Sequence, residues 1–278
     1  MFKRSFNDVL IKQLLNSDLY KQKISEDIKA GVVFPAIRTE RIDFYYKGGK
    51  LFTYDGKFKT HIKFASVYRL EEEKNYVTEK DLSAPQKCDF IEDYKRIKEN
   101  CAKFAEQEAV GVSRVYSKYS YANMTSGAMV LDIEVSFESD EEDRTQDRID
   151  LLLYNDGMLR FYEAKHFSNS EIWAKPGSKP KVAGQVARYK KQIEKNEAEI
   201  ITQYQNYVEI VNKVFEVNVR LPQKIDHNVP VLIFGFDRDQ LQGRFKTIFE
   251  GNLKGKVSYY AIGDVSKIII NNMWNACN

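Results

Sequence analysis

The sequence is poor in the residues that most often build cross-links and metal clusters. It has three cysteines, Cys88, Cys101 and Cys277, and three histidines, His61, His166 and His227, in 278 residues. The cysteines are odd in number, far apart and without ligand spacing. That argues against a disulfide scaffold, a zinc finger or an iron–sulfur cluster. Three scattered histidines argue equally against a histidine-rich metal site. No apolar run approaches a membrane span, and the first residues lack the apolar stretch of a signal peptide. The expectation is a soluble, cytoplasmic protein with no membrane partner. No Gly-rich phosphate loop or Walker pattern occurs, so neither a built-in ATP motor nor a nucleotide cofactor is expected. Internal repeats are missing too. The net charge of +3 is too small to name a partner by itself.

What is present is enough to fold. With 43% hydrophobic and 30% charged residues, the chain can bury a core in one large or two modest domains. Residues 1–30 carry apolar side chains at helical spacing. Residues 32–70 hold short strand-like runs separated by Gly48-Gly49 and Asp55-Gly56, which predicts a small antiparallel meander. Residues 71–88 are polar and predict a linker. Residues 89–110 predict an amphipathic helix, and 128–139 a strand with Leu131, Ile133, Val135 and Phe137 on one face. After an acidic stretch come a hairpin, a helix from about 182 to 215, a buried strand at 229–236, a helix over 239–249, a strand near 256–263 and a last helix over 264–274. The expected class is α/β (α+β), with a mixed central sheet flanked by helices. The expected division is 1–88, a helix plus small β region for DNA or partner binding, and 89–278.

The stretch from Arg148 to Lys165, RIDLLLYNDGMLRFYEAK, carries the chemistry. Asp156-Gly157 between two apolar runs is a strong two-residue turn signal. With that turn Asn155 faces Met158, and counting back sets Asp150 opposite Glu163. Glu163 and Lys165 share a strand face by alternation. Directly opposed like charges destabilise a sheet, and buried carboxylates need partners. Two carboxylates and a lysine on one pleated face suit a hard cation of the Mg²⁺ or Mn²⁺ type.

The segment from Ile172 to Ile193 has no acidic residue and carries Lys175, Lys179, Lys181, Arg188, Lys190 and Lys191. Its first part is rich in Pro, Gly and Lys and reads as a basic loop leading into a helix. Beside a carboxylate pair it suits a phosphate backbone.

From residue 89 the order is helix, strand, strand, strand, helix, strand, with an acid on the second strand and Glu-x-Lys on the third. That order, with RID at 148–150, EAK at 163–165 and QVARY at 185–189, resembles the PD-(D/E)xK nuclease superfamily over roughly residues 89–236. Ile149 stands where the motif usually has proline. The resemblance implies a restriction-endonuclease-like core and metal-dependent phosphodiester hydrolysis, with DNA as the polymer. It implies Asp150, Glu163 and the Ala164 carbonyl as metal ligands and Lys165 as the catalytic lysine. Gln185 and Tyr189 match the Gln-x-x-x-Tyr of the RecB and lambda-exonuclease branch, and i,i+4 spacing puts them on one helix face. Such nucleases often add a further acid. Glu108 ranks first, ahead of Glu106, Glu134 and Glu138. His166 points to the opposite strand face and is taken as structural. Aromatic and basic residues of the meander (Phe44, Tyr45, Tyr46, Lys47, Lys50, Phe52, Lys57, Lys59) are candidates for stacking on single strands or for packing on a partner subunit. The alternative is a nucleic-acid-binding or scaffold subunit that works with a protein partner such as a helicase, or as a homo-oligomer.

Overall fold

The computed structural model describes residues 3–65, 75–82, 87–124, 126–136, 148–175 and 178–277. The chain forms two compact units, one of residues 3–123 with 206–219 and one of 124–205 with 220–278. The expected boundary at residue 88 falls inside the first unit.

The N-terminal unit begins with α1 (Asp8–Asn16), whose first turn is capped by the Asn7 side chain accepting from the Val9 and Leu10 N–H groups. A π turn (Tyr20–Ile24) runs into α2 (Ser25–Lys29). The meander follows as β1 (Val33–Arg38), β2 (Arg41–Tyr46), β3 (Gly49–Tyr54) and β4 (Phe58–His61). After the short α3 (Ile62–Ala65) comes β5 (Tyr76–Val77), which adds to the same sheet in the order β1-β2-β3-β4-β5. The expected amphipathic helix is α4 (Tyr94–Lys103), packed on β2 and β3. It ends sooner than expected, and a second helix, α5 (Gln107–Tyr119), packs on β1. Gly111 marks a stop in the sequence but lies buried inside α5, where packing outweighs its poor helix propensity.

The aromatic side chains of the meander form this unit's core. Phe44 and Phe52 are fully buried, and Phe52 packs against Phe58, Phe90 and Tyr94. They are therefore unavailable for stacking on bases. Tyr45 is buried too, while Tyr46 keeps part of its surface.

The C-terminal unit is built on a second sheet. Its strands are β6 (Met129–Ser136), β7 (Arg148–Asn155) and β8 (Met158–His166). Two helices follow, α6 (Lys181–Lys195) and α7 (Glu197–Phe215). They were expected as one; Asn196 ends α6 with its own amide donating back to the Gln192 carbonyl, a local bond that competes with helix continuation. The last turns of α7, from 206, belong to the N-terminal unit. A short strand that sequence reading missed, β9 (Lys224–Asp226), pairs with the start of β8. Then come β10 (Val231–Phe234), α8 (Arg238–Gln242), α9 (Arg244–Ile248), β11 (Tyr259–Ile262) and α10 (Ile270–Ala276). Gly243 divides α8 from α9 where a single helix was expected.

The sheet order is β11-β10-β8-β7-β6. β6, β7 and β8 are antiparallel neighbours, whereas β10 runs parallel to β8 after the helical crossover. β8 is central and buried along nearly its whole length, as a strand covered on both faces should be. The mixed α/β class matches expectation. The helix expected before the three strands does not belong to this unit: α4 and α5 pack on the other sheet.

Candidate functional site

The hairpin has the expected register. Asp156 and Gly157 both adopt positive φ, 43° and 82°, the backbone of a two-residue turn whose twist matches the strands. Asn155 pairs with Met158, and pairing continues to Leu151 opposite Tyr162. One step further the register sets Asp150 against Glu163. There the strands part, and the Asp150 carboxylate rather than a main-chain carbonyl accepts the Ala164 N–H, at 2.7 Å. N–H and C=O of one strand residue point to the same side. The Ala164 carbonyl is therefore turned toward β7, beside Asp150.

On the other side, β7 pairs with β6 through Ile133 opposite Leu151 and Val135 opposite Ile149. Glu134 lies between these pairs, facing Asp150. It is a non-glycine residue with φ of 52° inside a strand, and its carboxylate bonds Arg148 at 2.7 Å. Glu134, Asp150 and Glu163 thus form a row across three strands.

The Lys165 ammonium completes the row. It stands 2.8 Å from Glu163 Oε1 and 3.0 Å from Glu171 Oε2. Glu171, which sequence reading passed over, lies on the short 3₁₀ turn Ser170–Ile172 just after β8. It stands six residues after Lys165, and no local pattern says that the turn will bring it back to the ammonium. Glu163 and Lys165 are almost fully buried, whereas Asp150 keeps part of its surface open. Burial pushes the Asp150 carboxyl well above the usual carboxylate range; Glu163 and Glu134 push it the same way, against the Ala164 N–H and Lys165.

α6 covers the same face. Val231 and Ile233 of β10 pair in parallel with Glu163 and Lys165, so these residues share a side, and both belong to one apolar cluster with Val182 of α6, against which Val186 also packs. One turn on, Gln185 Nε2 donates to the Tyr189 hydroxyl at 2.8 Å, which donates in turn to the Arg148 carbonyl at 2.8 Å. The structure thus joins Gln185 and Tyr189 to the strand that carries Asp150.

The remaining sequence candidates divide. Lys175, Lys179 and Lys181 are exposed between the 3₁₀ turn and the first turn of α6, and Arg188 is half-buried on that helix. Glu106 is the N-cap of α5 and Glu108 lies in its first turn, both in the N-terminal unit. Glu138 lies outside the described residues. Of the four acids considered as an extra ligand, Glu134 is the one the strand register brings to Asp150. His166 turns away, with its ring against Phe234 and close to Gly235, where a Cβ would lie 2.1 Å from Nε2.

Among the described residues, no group of three or more His, Cys, Asp or Glu side chains is placed to hold a metal by side chains alone. The donor set at the parting strands is two carboxylates and one main-chain carbonyl, all hard oxygens. Mg²⁺ accepts such a set, because it keeps several waters and uses one or two carboxylates. In comparisons with known proteins, the chain matches no family model, no curated protein and no solved structure.

Proposed function

We propose that the protein is a metal-dependent nuclease that hydrolyses phosphodiester bonds, with DNA as its substrate, and that Asp150, Glu163, the Ala164 carbonyl and Lys165 form its centre. One observation carries this reading: β7 and β8 part where Asp150 opposes Glu163, and the Asp150 carboxylate holds the Ala164 N–H at 2.7 Å. Two opposed carboxylates, one forced toward its protonated form, are what a divalent cation stabilises. The strand order β6-β7-β8-β10, with β10 parallel to β8, supports a restriction-endonuclease-like core, with residues 94–119 lying outside it.

Asp150, Glu163 and the Ala164 carbonyl would hold Mg²⁺ or Mn²⁺. When bound, the cation would supply an activated water and charge neutralisation at the scissile phosphate. Lys165, anchored by its carboxylates, presents an ammonium beside the same spot to orient the water or stabilise the pentavalent phosphate. Glu134 adds negative charge at the outer end of the row. Gln185 and Tyr189 fix α6 to β7 and so fix the strand bearing Asp150. The exposed lysines after the 3₁₀ turn contact the phosphate backbone.

The test is incubation of the full chain with labelled linear and circular DNA in Mg²⁺, Mn²⁺ or EDTA. Cleavage that needs a divalent cation and is lost in Asp150→Asn is expected. Cleavage that persists in EDTA, or full activity in Asp150→Asn, rejects the reading. Faster loss of the linear form would place the enzyme among exonucleases, as the Gln185 and Tyr189 pair suggests.

A further inference from the structure

Lys165 pairs with carboxylates on two different elements. Glu163 lies on its own strand face, 2.8 Å away, and Glu171 on the following turn, 3.0 Å away. That turn is pinned on both sides of Glu171: the Asn169 side chain accepts the Glu171 N–H at 2.8 Å, and Ile172 is buried in one apolar cluster with Val182, Val231 and Ile233. The Glu171 side chain is 37% exposed and that of Lys165 only 7%. A carboxylate so open to water gains little from an ordinary surface pair. Its partner here is a nearly buried ammonium, which is costly to keep charged without paired carboxylates.

Glu163 faces two demands. On the metal-dependent reading above it is a cation ligand, and in this structure it is also a partner of Lys165. A divalent cation and an ammonium compete for one carboxylate and repel each other. Without a second anion, admitting the cation would leave Lys165 buried with a weakened partner. Glu171 provides that anion, outside the set of Asp150, Glu163 and the Ala164 carbonyl.

We propose that Glu171 is a positioning residue that takes over the Lys165 ammonium when a divalent cation engages Glu163, so that cation and lysine are held side by side. This rests on the proposed metal site. Glu171 acts through Lys165 and makes no bond to the cation.

The test is calorimetric titration of Mn²⁺ into the full chain without nucleic acid, so that activity is not the readout. The proteins are wild type, Glu171→Gln, Glu171→Ala, Lys165→Met and Lys165→Met with Glu171→Ala, each checked by thermal unfolding. Glu171→Ala is expected to weaken Mn²⁺ binding on the order of tenfold, about 1.4 kcal/mol. Glu171→Gln keeps an oxygen that accepts from the ammonium and should fall between Glu171→Ala and wild type. In the Lys165→Met background Glu171→Ala should change affinity less than about twofold, because no ammonium remains to be held. An equal loss in both backgrounds would make Glu171 a direct ligand or a mere nearby charge and overturn the proposal. Unchanged binding in both Glu171 single variants overturns it as well. Wild type that takes up no Mn²⁺ removes the metal site itself, and the role of Glu171 with it.

Discussion

The Tyr189 hydroxyl on α6 donates to the Arg148 main-chain carbonyl on β7 at 2.8 Å. Tyr189 is fully buried, and its oxygen also accepts from Gln185 at 2.8 Å. Arg148 lies two residues before Asp150 on the same strand. The bond therefore ties a helix to the strand segment that has already parted from β8 and has lost main-chain pairing on that side.

Tyr189→Phe keeps the ring and deletes both the bond to Arg148 and the one from Gln185. The expected cost is about 1 kcal/mol, a fall in Tm of about 2–4 °C for a unit of this size. Cleavage should drop by ten-fold or more, because a small misplacement of a ligand strand is costly in rate. Gln185→Ala leaves the Arg148 bond in place and should cost less of both. Thermal melts and initial rates on linear DNA check this. A variant with the expected Tm loss but the wild-type rate would assign the bond to stability alone.

Asp150→Asn should stabilise the metal-free protein at neutral pH. Burial and the Glu163 charge hold the Asp150 carboxyl above its usual range, so the folded chain keeps a proton there after the unfolded chain has lost it. Between those two values the folded state binds more protons, and stability falls as pH rises. Asn has no such proton to lose and still accepts the Ala164 N–H. Its Tm advantage in EDTA should be clear at pH 7.5 and shrink toward about pH 4, the ordinary carboxylate range. Saturating Mn²⁺ should reverse the order by raising wild type alone, by about 2.7 kcal/mol at a hundredfold excess over Kd. Equal melting of the two proteins in EDTA at both pH values would show that Asp150 ionises normally.

The hairpin was legible in the sequence because its information is local: Asp156-Gly157 fixes the turn, and alternation then sets Asp150 against Glu163. Gln185 and Tyr189 were legible as a helix pair, but their bond to Arg148 was not, because it spans 41 positions. Glu171 was hidden for the same kind of reason: nothing local says that a 3₁₀ turn will fold back on Lys165. The aromatic meander misled. Alternating Phe and Tyr with Lys fits a stacking surface and a buried sheet face equally well in sequence, and only the packing of Phe52 on Phe90 and Tyr94 decides for the core. The break at Asn196 was readable in principle, since Asn offers the helix a competing bond; that at residues 104–106 carries no glycine or proline to signal it.

Glu134 holds a left-handed backbone within β6, with φ of 52°, which costs a non-glycine residue about 1 kcal/mol. Strain at a carboxylate facing Asp150 motivates a comparison of two variants. Both Glu134→Gln and Glu134→Gly delete the charge and the ion pair with Arg148, and both should lower cleavage about ten-fold. Only Glu134→Gly relieves the strain, so it should melt no lower than Glu134→Gln. In an ordinary strand glycine is the less stable by roughly 0.5–1 kcal/mol. Melting of Glu134→Gly well below Glu134→Gln would show that the backbone is relaxed, and wild-type rates in both would remove Glu134 from the site.

The exposed lysines separate binding from stability. Lys175, Lys179 and Lys181 are all exposed, and Lys181 opens α6. A cation at a helix N-terminus opposes the helix dipole, at a cost of about 0.3–1 kcal/mol. Lys181 therefore weakens the helix that it begins, and a phosphate contact would account for its place. Reversing all three to Glu should leave Tm unchanged or raise it, because an acidic residue at the start of α6 is favourable. Nucleic-acid affinity should move the other way. Each phosphate contact adds about 0.9 to the slope of log affinity against log salt on duplex DNA, so three lost contacts should flatten the slope by up to about 2.7. Turnover at saturating DNA should change little, since none of the three touches Asp150, Glu163 or Lys165. Binding isotherms from about 50 to 200 mM salt, beside thermal melts, measure both quantities on the same preparations. A lower Tm together with an unchanged slope would mean that these lysines serve the fold or a protein partner and that nucleic acid lies elsewhere on the molecule.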